Sequence, residues 1–432
     1  MSSSGRERKC SKEKDGTIYS KRSKRICLPI EREEYERVLL DKGAFRAYLD
    51  MQIVQHPELF PSTIQQGYKL HDILPSSKKM PDIRLRRIKV KATAGEKEEV
   101  FAIAPSFVMP YMTGYTDDVE KALFLRKFAV PYWALTYVFG RNDMYWERLE
   151  LGVGRNSIVG TTVKCSDKLP QDVLADEKHT RLNGEKAYVA TTVGDDCVLG
   201  ASVALQADTA NLTEAYGRFK VEAQNLVADY EPQTVNIDGW QSTWLAWQSL
   251  FSSITIILCF LHGFIKIRDR CKRMKTHFSE ICQRVWDVYH AADKQAFLDK
   301  VNDLKTWASI TIEKGTGLDA ILKLCHRAPE FAKAFDYPSA YRTSNMIDRH
   351  MEPLDRYLYS AKYFHGHLTT AEYGVRAWAL LHNFQPYCPR SKVAATYQSP
   401  AHKLNGLVYH DNWLQNLLVS ASEGIEGDHR KR

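Results

Sequence analysis

The chain has 432 residues, 44% of them hydrophobic and 26% charged, a balance typical of a globular protein with about two or three domains. Its net charge of +8 comes from clustered basic residues, which favours a polyanionic partner over a membrane. Nine scattered cysteines argue against a disulfide framework and predict a reducing compartment. The opening residues lack the apolar core of a secretory signal, and the longest apolar run is too short to cross a bilayer.

The N-terminal part is predicted to be mainly helical and to bind DNA. Residues 1–28 are rich in Lys, Arg and Ser, and predict a disordered basic tail that either contacts phosphates or serves only solubility. Within the following region, 29–165, residues 117–150 have the pattern of a helix, a tight turn and two further helices. This order is compatible with a helix-turn-helix that puts Arg141 and Arg148 near DNA, and also with plain helical packing.

A sheet is predicted in the middle of the chain. Three β-rich runs, VLADEKHTRL, EKAYVATTV and CVLGASVALQA, are separated by turn residues and predict an antiparallel meander. A helix then leads to two more buried strands, TVNID and SITIILCFLH. The right-handed crossover rule would set the TVNID strand parallel to one of the first three. The sequence therefore predicts a mixed five-stranded α/β sheet.

The rest of the chain is predicted to be largely helical. Residues 265–340 have helical spacing throughout, and we interpret them as an insertion between 166–264 and 341–385, which together would form one domain. Residues 386–432 predict an exposed loop, a short helix and a polar tail.

Three acids are predicted to share a site. Asp176 lies on the first strand and Asp238 at the end of the fourth, so their carboxylates can be neighbours, and Asp348 on a later helix would close the site from one flank. Converging carboxylates repel one another unless a hard divalent cation lies between them. Two Mg²⁺ or Mn²⁺ ions roughly 4 Å apart would activate a nucleophilic water or 3′-hydroxyl and stabilise the leaving oxygen.

Each of these acids has an alternative interpretation, and for Asp348 it is a solvated charge on the exposed face of a helix. Asp238 precedes a helix, so it could instead be the cap of that helix. Asp172 and Glu177 compete with Asp176 on the same strand, although strand alternation puts Asp176 and Glu177 on opposite faces.

The acids and their surroundings resemble the DDE/D transposases with a ribonuclease H-like catalytic domain, in particular the Mutator-like group and related bacterial insertion-sequence transposases. The resemblance covers roughly residues 170 to 385 and rests on four motifs: ADEKHTRLNGEKAYVA, VNIDGW, the Cys-x-x-His element CFLH, and RTSNMID before the third acid. Relatives usually carry Glu as the third acid, so Glu352, one turn after Asp348, is the alternative there.

The resemblance implies a metal-dependent transposase that hydrolyses a phosphodiester at the ends of a mobile element and transfers the 3′-hydroxyl into target DNA. Asp176, Asp238 and Asp348 would bind the metals, with His262 nearby as a further catalytic residue. The partners would be double-stranded DNA, as terminal repeats and as target, and further copies of the chain on paired ends. A catalytically silent DNA-binding descendant and a ribonuclease H-like nuclease are the alternatives.

The same resemblance favours a bacterial protein of the cytoplasm associated with the nucleoid. In a eukaryotic host, the KRSKR run at 21–25 would instead be a nuclear signal.

The CFLH motif allows a second metal hypothesis, because Cys259 and His262 are both zinc ligands. A structural zinc site needs about four ligands, and the residues that could complete it are Cys325, His326, His365 and His367. Alternatively, Cys259 packs in the core while His262, at the end of the strand, orients backbone or a phosphate.

A basic run follows the motif directly. It is either a solvated helix face or a clamp for a DNA backbone, and its members are Lys266, Arg268, Arg270, Lys272 and Arg273.

Overall fold

The computed structural model describes residues 21–22, 25–91, 98–422 and 426–427 and has a mixed α/β fold. Its strands are β1 (Lys21–Arg22), β2 (Arg25–Leu28), β3 (Tyr68–Ile73), β4 (Arg86–Val90), β5 (Glu99–Pro105), β6 (Asp172–Leu182), β7 (Glu185–Gly194), β8 (Cys197–Ala204), β9 (Thr234–Ile237), β10 (Thr255–Leu258) and β11 (Glu426–Gly427).

The helices before and within the central sheet are α1 (Arg32–Leu39), α2 (Lys42–Gln55), α3 (Thr116–Arg126), α4 (Tyr132–Phe139), α5 (Asp143–Val153), α6 (Ile158–Thr162), α7 (Thr209–Leu226) and α8 (Gln241–Leu250). Those after it are α9 (Phe260–Cys271), α10 (Phe278–Tyr289), α11 (Lys294–Thr311), α12 (Thr316–His326), α13 (Ala328–Ala332), α14 (Asn345–Ser360), α15 (Leu368–Phe384), α16 (Pro400–Asn405) and α17 (Trp413–Ser420).

The predicted five-stranded sheet is confirmed, with the order β10-β9-β6-β7-β8. Strands β6, β7 and β8 form the antiparallel meander, and the β6–β7 turn is made by Asn183 and Gly184, both with positive φ. The crossover helix α7 brings β9 parallel to β6, with Val235 opposite Val173, and β10 then pairs parallel to β9. The carboxyl ends of β9 and β10 therefore lie side by side.

The sheet separates two hydrophobic cores, because successive side chains of a strand point to opposite faces. On β6, Val173 and Ala175 pack with α7, α8 and the helices that follow β10. Leu174, between them, packs with α14, α15 and the N-terminal region. Both faces are thus packed against helices, which explains why β8 is buried along its whole length.

Helices α9 to α13 form the region predicted as a helical insertion. Their apolar residues, among them Ile267, Leu304 and Ile321, belong to the same core as β9 and β10. The predicted strand SITIILCFLH is wrong at its end, because the strand stops at Leu258 and α9 begins at Phe260. The apolar residues from position 260 onward recur at helical spacing, and this periodicity outweighs the strand propensity of the run.

The described part of the N-terminal region has six α-helices, α1 to α6, in keeping with the prediction, but it also has a sheet that the prediction did not include. It contains a four-stranded mixed sheet with the order β2-β5-β4-β3, against which α1 and α2 pack. Alternation on β4 buries Arg86, Ile88 and Val90, and the Arg86 guanidinium is satisfied by donating to the carbonyl of Leu39. The buried Arg86 thus has a backbone hydrogen-bond partner, as buried polar groups normally do.

The predicted basic tail is too long by at least four residues. Arg25–Leu28 is a mostly buried strand parallel to β5, because the apolar run Ile26 to Leu28 has a core to enter. Residues 1–20 and 23–24 of the predicted tail lie outside the described residues.

The three helices expected within 117–150 are α3, α4 and α5. At the other end of the chain, α17 is buried along its whole length, and so the C-terminal region is part of the core. The residues after α17 contact strand β2. The Ser422 hydroxyl accepts from the Cys27 N–H and donates to the Cys27 carbonyl, both at 2.9 Å. The predicted polar tail at 423–425 and 428–432 lies outside the described residues.

Within the part of the chain that the structure describes, none of the helices has both the length and the apolar character needed to cross a membrane.

Candidate active site

Asp176 lies in the middle of the central strand β6, opposite Thr191 of β7. Its Oδ1 accepts the N–H of Glu177 at 2.9 Å, and the side chain is half-buried. It points to the face covered by α14, as does Lys178 two residues later, which pairs with Asp355 of α14 at 2.8 Å. The strand therefore presents Asp176 toward the helix that carries the third acid.

The two rivals of Asp176 have structural partners. Glu177 points to the other face of the sheet, where it accepts from the hydroxyls of Tyr216 at 2.7 Å and Thr243 at 2.6 Å. Burial raises the pKa of Glu177 to about 7, which these two hydrogen bonds partly oppose. Asp172 is buried at the start of β6 and accepts from Thr234 of β9 at 2.6 Å. Both carboxylates therefore tie elements of the fold together.

Asp238 directly follows β9 and is not the cap of the next helix. The residue at the N-cap of α8 is Trp240, and Asp238 Oδ1 accepts the Trp240 N–H at 2.8 Å across a two-residue turn. Gly239 between them has φ +89°, a conformation that favours glycine. This turn fixes the Asp238 carboxylate at the carboxyl end of the sheet.

Asp348 comes from the first turn of α14, and the loop before that helix is tied to the sheet. Asn236 of β9 donates to the Tyr341 carbonyl at 2.8 Å, and the Ser344 N–H donates to the Cys259 sulfur at 3.1 Å. The Ser344 hydroxyl then donates to Asp348 Oδ2 at 2.7 Å. This sequence of contacts explains how an acid on a distant segment is held near β6.

Glu352, the alternative third acid, is exposed and pairs with Arg356 on its own helix. The negative charge of Asp348 instead acts on Asp176 and raises its pKa. The structure thus brings Asp348, and not Glu352, into the group of acids.

The pKa of Asp176 is affected by burial and by the charges of neighbouring residues. Burial raises it to about 6; the Glu177 N–H lowers it, the negative charges of Asp238 and Asp348 raise it, and the positive charge of His262 lowers it. Four side chains from β6, the end of β9, α9 and α14 therefore share one electrostatic environment.

His262 lies in the first turn of α9, not at a strand end as predicted. Contact with the Cys259 sulfur raises its pKa to about 9, burial opposes this shift, and the negative charges of Asp176 and Asp238 add to it. Nδ1 of His262 is buried and has no aligned hydrogen-bond partner among the described residues, so the contact with sulfur is polar and close rather than a directed hydrogen bond. His262 is thus positively charged at neutral pH.

Cys259 is buried at the N-cap of α9. Burial alone would raise the pKa of its thiol, but the contacts with His262 and Ser344 outweigh burial and lower it. The zinc hypothesis gains no further ligands from the structure. Within residues 25–91 and 98–422, no three Asp, Glu, His or Cys side chains converge closely enough to hold one metal ion.

The oxygens of the three acids are of the kind that binds hard divalent cations, but among the described residues these side chains do not converge closely enough to share one ion. Each has one oxygen fixed by a single hydrogen bond, from Glu177 N, Trp240 N or Ser344 Oγ. The second oxygen of each receives no hydrogen bond from any described residue. Free carboxylate oxygens in a negatively charged group are the donors that Mg²⁺ and Mn²⁺ prefer, although the three side chains are not closed into a ligand cage.

A cavity of about 470 Å³ adjoins Asp238 and lies between the sheet end and helices α9 and α12. Of the five cations in the predicted DNA clamp, Lys266 and Arg270 line it. Arg268 is exposed and turned toward Asp269, and the two cations after α9, Lys272 and Arg273, are exposed at the surface. Two of the five predicted DNA-contacting cations therefore face the cavity beside Asp238, and the other three do not line it.

No protein-family model matches the chain, and no curated protein matches it in sequence. The arrangement of its own side chains is consequently the basis for any functional conclusion.

Sequence reasoning missed two cations of the cavity wall, Lys323 and Arg327 on and just after α12. Their spacing of four residues, which puts both on one helix face, is the pattern that could have revealed them. The predicted DNA contacts Arg141 and Arg148 are both exposed at α5, and Arg141 lies over the Tyr145 ring at 5.5 Å. They are far along the chain from the acids, and the structure assigns them no common partner with that group.

Proposed function

We propose that this protein is a DNA transposase of the DDE/D type with a ribonuclease H-like catalytic domain. One arrangement carries the proposal: Asp176 lies on the central strand, Asp238 follows the strand that pairs parallel to it, and Asp348 is held by Ser344. The charges of Asp238 and Asp348 both act on Asp176. The strand order β10-β9-β6-β7-β8, with an antiparallel meander followed by two parallel strands, supports this fold assignment. The helical segment after β10, α9 to α13, supports the same fold assignment.

In this proposal Asp176, Asp238 and Asp348 hold Mg²⁺ or Mn²⁺, most simply two ions. Such ions would activate the attacking water or 3′-hydroxyl and stabilise the leaving oxygen of an in-line displacement. The raised pKa of Asp176 supports this role, since a nearby divalent cation would restore the charged carboxylate that burial and its acidic neighbours disfavour.

His262 has a second role in the proposal. Its imidazolium stays protonated at neutral pH and lies beside the acids, where it can donate a hydrogen bond to a non-bridging phosphate oxygen. Glu177 does not take part in the chemistry, but its bonds to Tyr216 and Thr243 hold β6 against α7 and α8 and so fix the position of Asp176.

DNA binding is assigned to two surfaces. The basic cavity beside Asp238 would contact the backbone near the cleaved bond. The exposed arginines Arg141, just before α5, and Arg148, on α5, would contact the terminal repeats, with copies of the chain assembling on paired ends as in the families it resembles.

The test is Mn²⁺-dependent cleavage of duplex DNA carrying the ends of the mobile element, in the wild type and in Asp238→Asn. We expect cleavage to fall at least about a hundredfold in the variant, since removal of a metal ligand removes the charge that holds the ion, while DNA binding persists. Asp269→Asn, an exposed acid on α9, is the matched control and should cleave normally.

Equal cleavage by the wild type and Asp238→Asn would refute the assignment. A joining assay with the same DNA separates transposition from simple nuclease action, because a nuclease cleaves without transferring the 3′ end. DNA binding by a well-folded protein that never cleaves would favour a catalytically silent descendant.

A further inference from the structure

The cavity beside Asp238 has the size of a small-ligand site. Its volume of about 470 Å³ falls in the range of roughly 300–1,000 Å³ that such sites occupy. Leu258, Leu324 and Phe331 form an apolar wall, and the carboxyl end of β9 forms the mouth. A DNA duplex is too wide to enter a space of this size, whereas one nucleotide fits.

Positive charge dominates the polar part of the wall. Lys266 and Arg270 extend from one face of α9, and Lys323 and Arg327 face them from α12 and its C-terminal end. The lining contains two carboxylates, Asp238 and Asp319, against these four cations. If Asp238 is engaged by a metal ion, the rest of the wall attracts an anion.

Arg327 lies against Gly239, the residue next to Asp238. Its Nε donates to Glu330 at 2.6 Å, while its terminal nitrogens Nη1 and Nη2 donate to no acceptor among the described residues. They lie against Gly239, where a Cβ atom would come within 2.9 Å of Nη1. A guanidinium fork with free terminal donors, held one residue from Asp238, matches the geometry of a phosphate group.

The basic wall continues beyond the cavity. A second, more open cavity of about 530 Å³ shares Lys323 and Arg327 with the first and adds Lys305 and His326. The two spaces together form a basic path that leads from Asp238 across the helical segment. Basic grooves that follow one backbone are typical of single-strand binding, and the two spaces share the cations Lys323 and Arg327.

From these observations we infer that the first cavity takes one nucleotide unstacked from the substrate DNA, next to the bond that is cut. Its phosphate is held by Arg327 and Lys323, and its base packs against Leu324 and Phe331. The adjoining strand follows the second cavity. This inference rests on the proposed function, and it adds that the DNA is locally opened at the site.

Binding measurements without metal test this inference apart from catalysis. The full-length protein in EDTA is titrated with three probes: dAMP, a 12-nucleotide single strand, and the blunt duplex of the same sequence. A fourth probe is a duplex with a single-stranded overhang that carries 2-aminopurine at its first unpaired position. The fluorescence of this base rises when it unstacks.

Two kinds of variant act on the cavity. The pair Lys323→Gln and Arg327→Gln removes charge, and Ala320→Phe fills the space without changing charge, since Ala320 lines it. Lys314→Gln is the matched control, an exposed lysine before α12 that lies outside both linings. Far-UV circular dichroism and thermal melting establish that each variant is folded.

We expect both cavity variants to bind the single strand about tenfold more weakly, the scale of one lost base contact, and to lose the rise in 2-aminopurine fluorescence. Binding of the blunt duplex and all binding by Lys314→Gln should stay within twofold of wild type. Unchanged single-strand binding in Ala320→Phe and in the double variant would overturn the inference. Tight dAMP binding that the single strand does not displace would also overturn it, and would indicate a site for a free nucleotide.

The nucleotide-site inference and the transposase proposal can each be refuted without the other. If Asp238→Asn abolishes cleavage while the cavity variants bind normally, the inference is wrong and the transposase assignment stands. If the cavity variants lose single-strand binding but the wild type never cleaves with Mn²⁺, the assignment is wrong and the cavity remains a nucleotide site.

Discussion

Asp176 and Glu177 are neighbours on β6, yet their carboxylates lie on opposite faces of the sheet and in different surroundings. Glu177 is buried and accepts from two hydroxyls, of Tyr216 and Thr243. Asp176 is half-buried, accepts one backbone N–H, and faces two other acids. One dipeptide thus supplies a packing contact on one side and a group available for chemistry on the other.

The first prediction separates these two roles. Asp176→Asn should lose Mn²⁺-dependent cleavage, whereas Glu177→Gln should retain it, because a glutamine can still accept from both hydroxyls. Cleavage rates of the two variants, compared with wild type, provide the measurement. Loss of cleavage in a stably folded Glu177→Gln protein would contradict the division of roles.

The same pair predicts a dependence of stability on pH. Burial raises the pKa of Glu177 from 4.5 to about 7, so its contribution to stability is complete below pH 4.5 and is lost as the pH rises through about 7. Glu177→Gln should therefore gain about 3 kcal/mol in the free energy of unfolding at pH 8 and little at pH 4.5. Urea denaturation in EDTA at both pH values measures the difference; an equal change at both would exclude this cause.

The third prediction distinguishes the two possible third acids. Asp348→Asn should reduce cleavage by at least about a hundredfold if this residue is a metal ligand. Glu352→Gln should change it less than twofold, because Glu352 is exposed and paired with Arg356. The reverse result would move the third acid by one turn of α14.

The fourth prediction concerns the charge of His262. Its pKa of about 9 depends first on the Cys259 sulfur, so Cys259→Ala should move that pKa toward 6.5. A raised histidine pKa stabilises the fold fully below 6.5 and progressively less up to about 9, and the variant should lose this contribution at a lower pH. Nuclear magnetic resonance titration of the imidazole Cε1 proton gives the pKa directly.

Cleavage gives a second readout for the same variant. Cys259→Ala should cleave well at pH 6 and poorly at pH 8, where its imidazole is largely neutral, whereas wild type keeps the imidazolium at both. Cys282→Ala, a half-buried thiol of α10, serves as the control. An unchanged His262 pKa in Cys259→Ala would show that the sulfur is not the cause.

The fifth prediction concerns a buried ion pair that joins the two cores. Arg376 of α15 donates to Glu222 of α7 at 2.5 Å and to the carbonyls of Gly154 and Asn156, and both side chains of the pair are buried. Arg376→Met should lower the free energy of unfolding by about 3–5 kcal/mol, because it leaves the Glu222 charge uncompensated.

Urea denaturation at pH 7 measures this loss. The exposed pair Lys294 and Asp336, 2.6 Å apart, provides the comparison, and Lys294→Met should cost less than about 1 kcal/mol. Similar costs for the two substitutions would mean that burial of the Arg376 pair has no energetic weight.

Local patterns predicted the central sheet well. The Asn183 and Gly184 turn, the β-branched runs around it and the helical face of α7 depend on residues close in sequence, and such features are readable without a structure. The strand acids were predicted for the same reason, since Asp176 and Asp238 are defined by their places in or after short strands.

Features that depend on distant residues were not predicted. The strand Arg25–Leu28 has only four residues and acquires its partner from β5, so nothing local distinguishes it from a tail. The start of α9 is fixed by two contacts with a distant segment. The Phe260 N–H donates to the Arg342 carbonyl, and the Ser344 N–H donates to the Cys259 sulfur. The approach of Arg327 to Gly239 likewise exists only in the folded chain.

The contact between Cys27 and Ser422 has a consequence for how the protein is made. Because β2 is translated long before α17, β2 and its neighbours keep apolar surface uncovered until α17 and Ser422 have been synthesised. A chain cut short before α17 would keep Asp176, Asp238 and Asp348 but leave that surface open to aggregation and proteolysis.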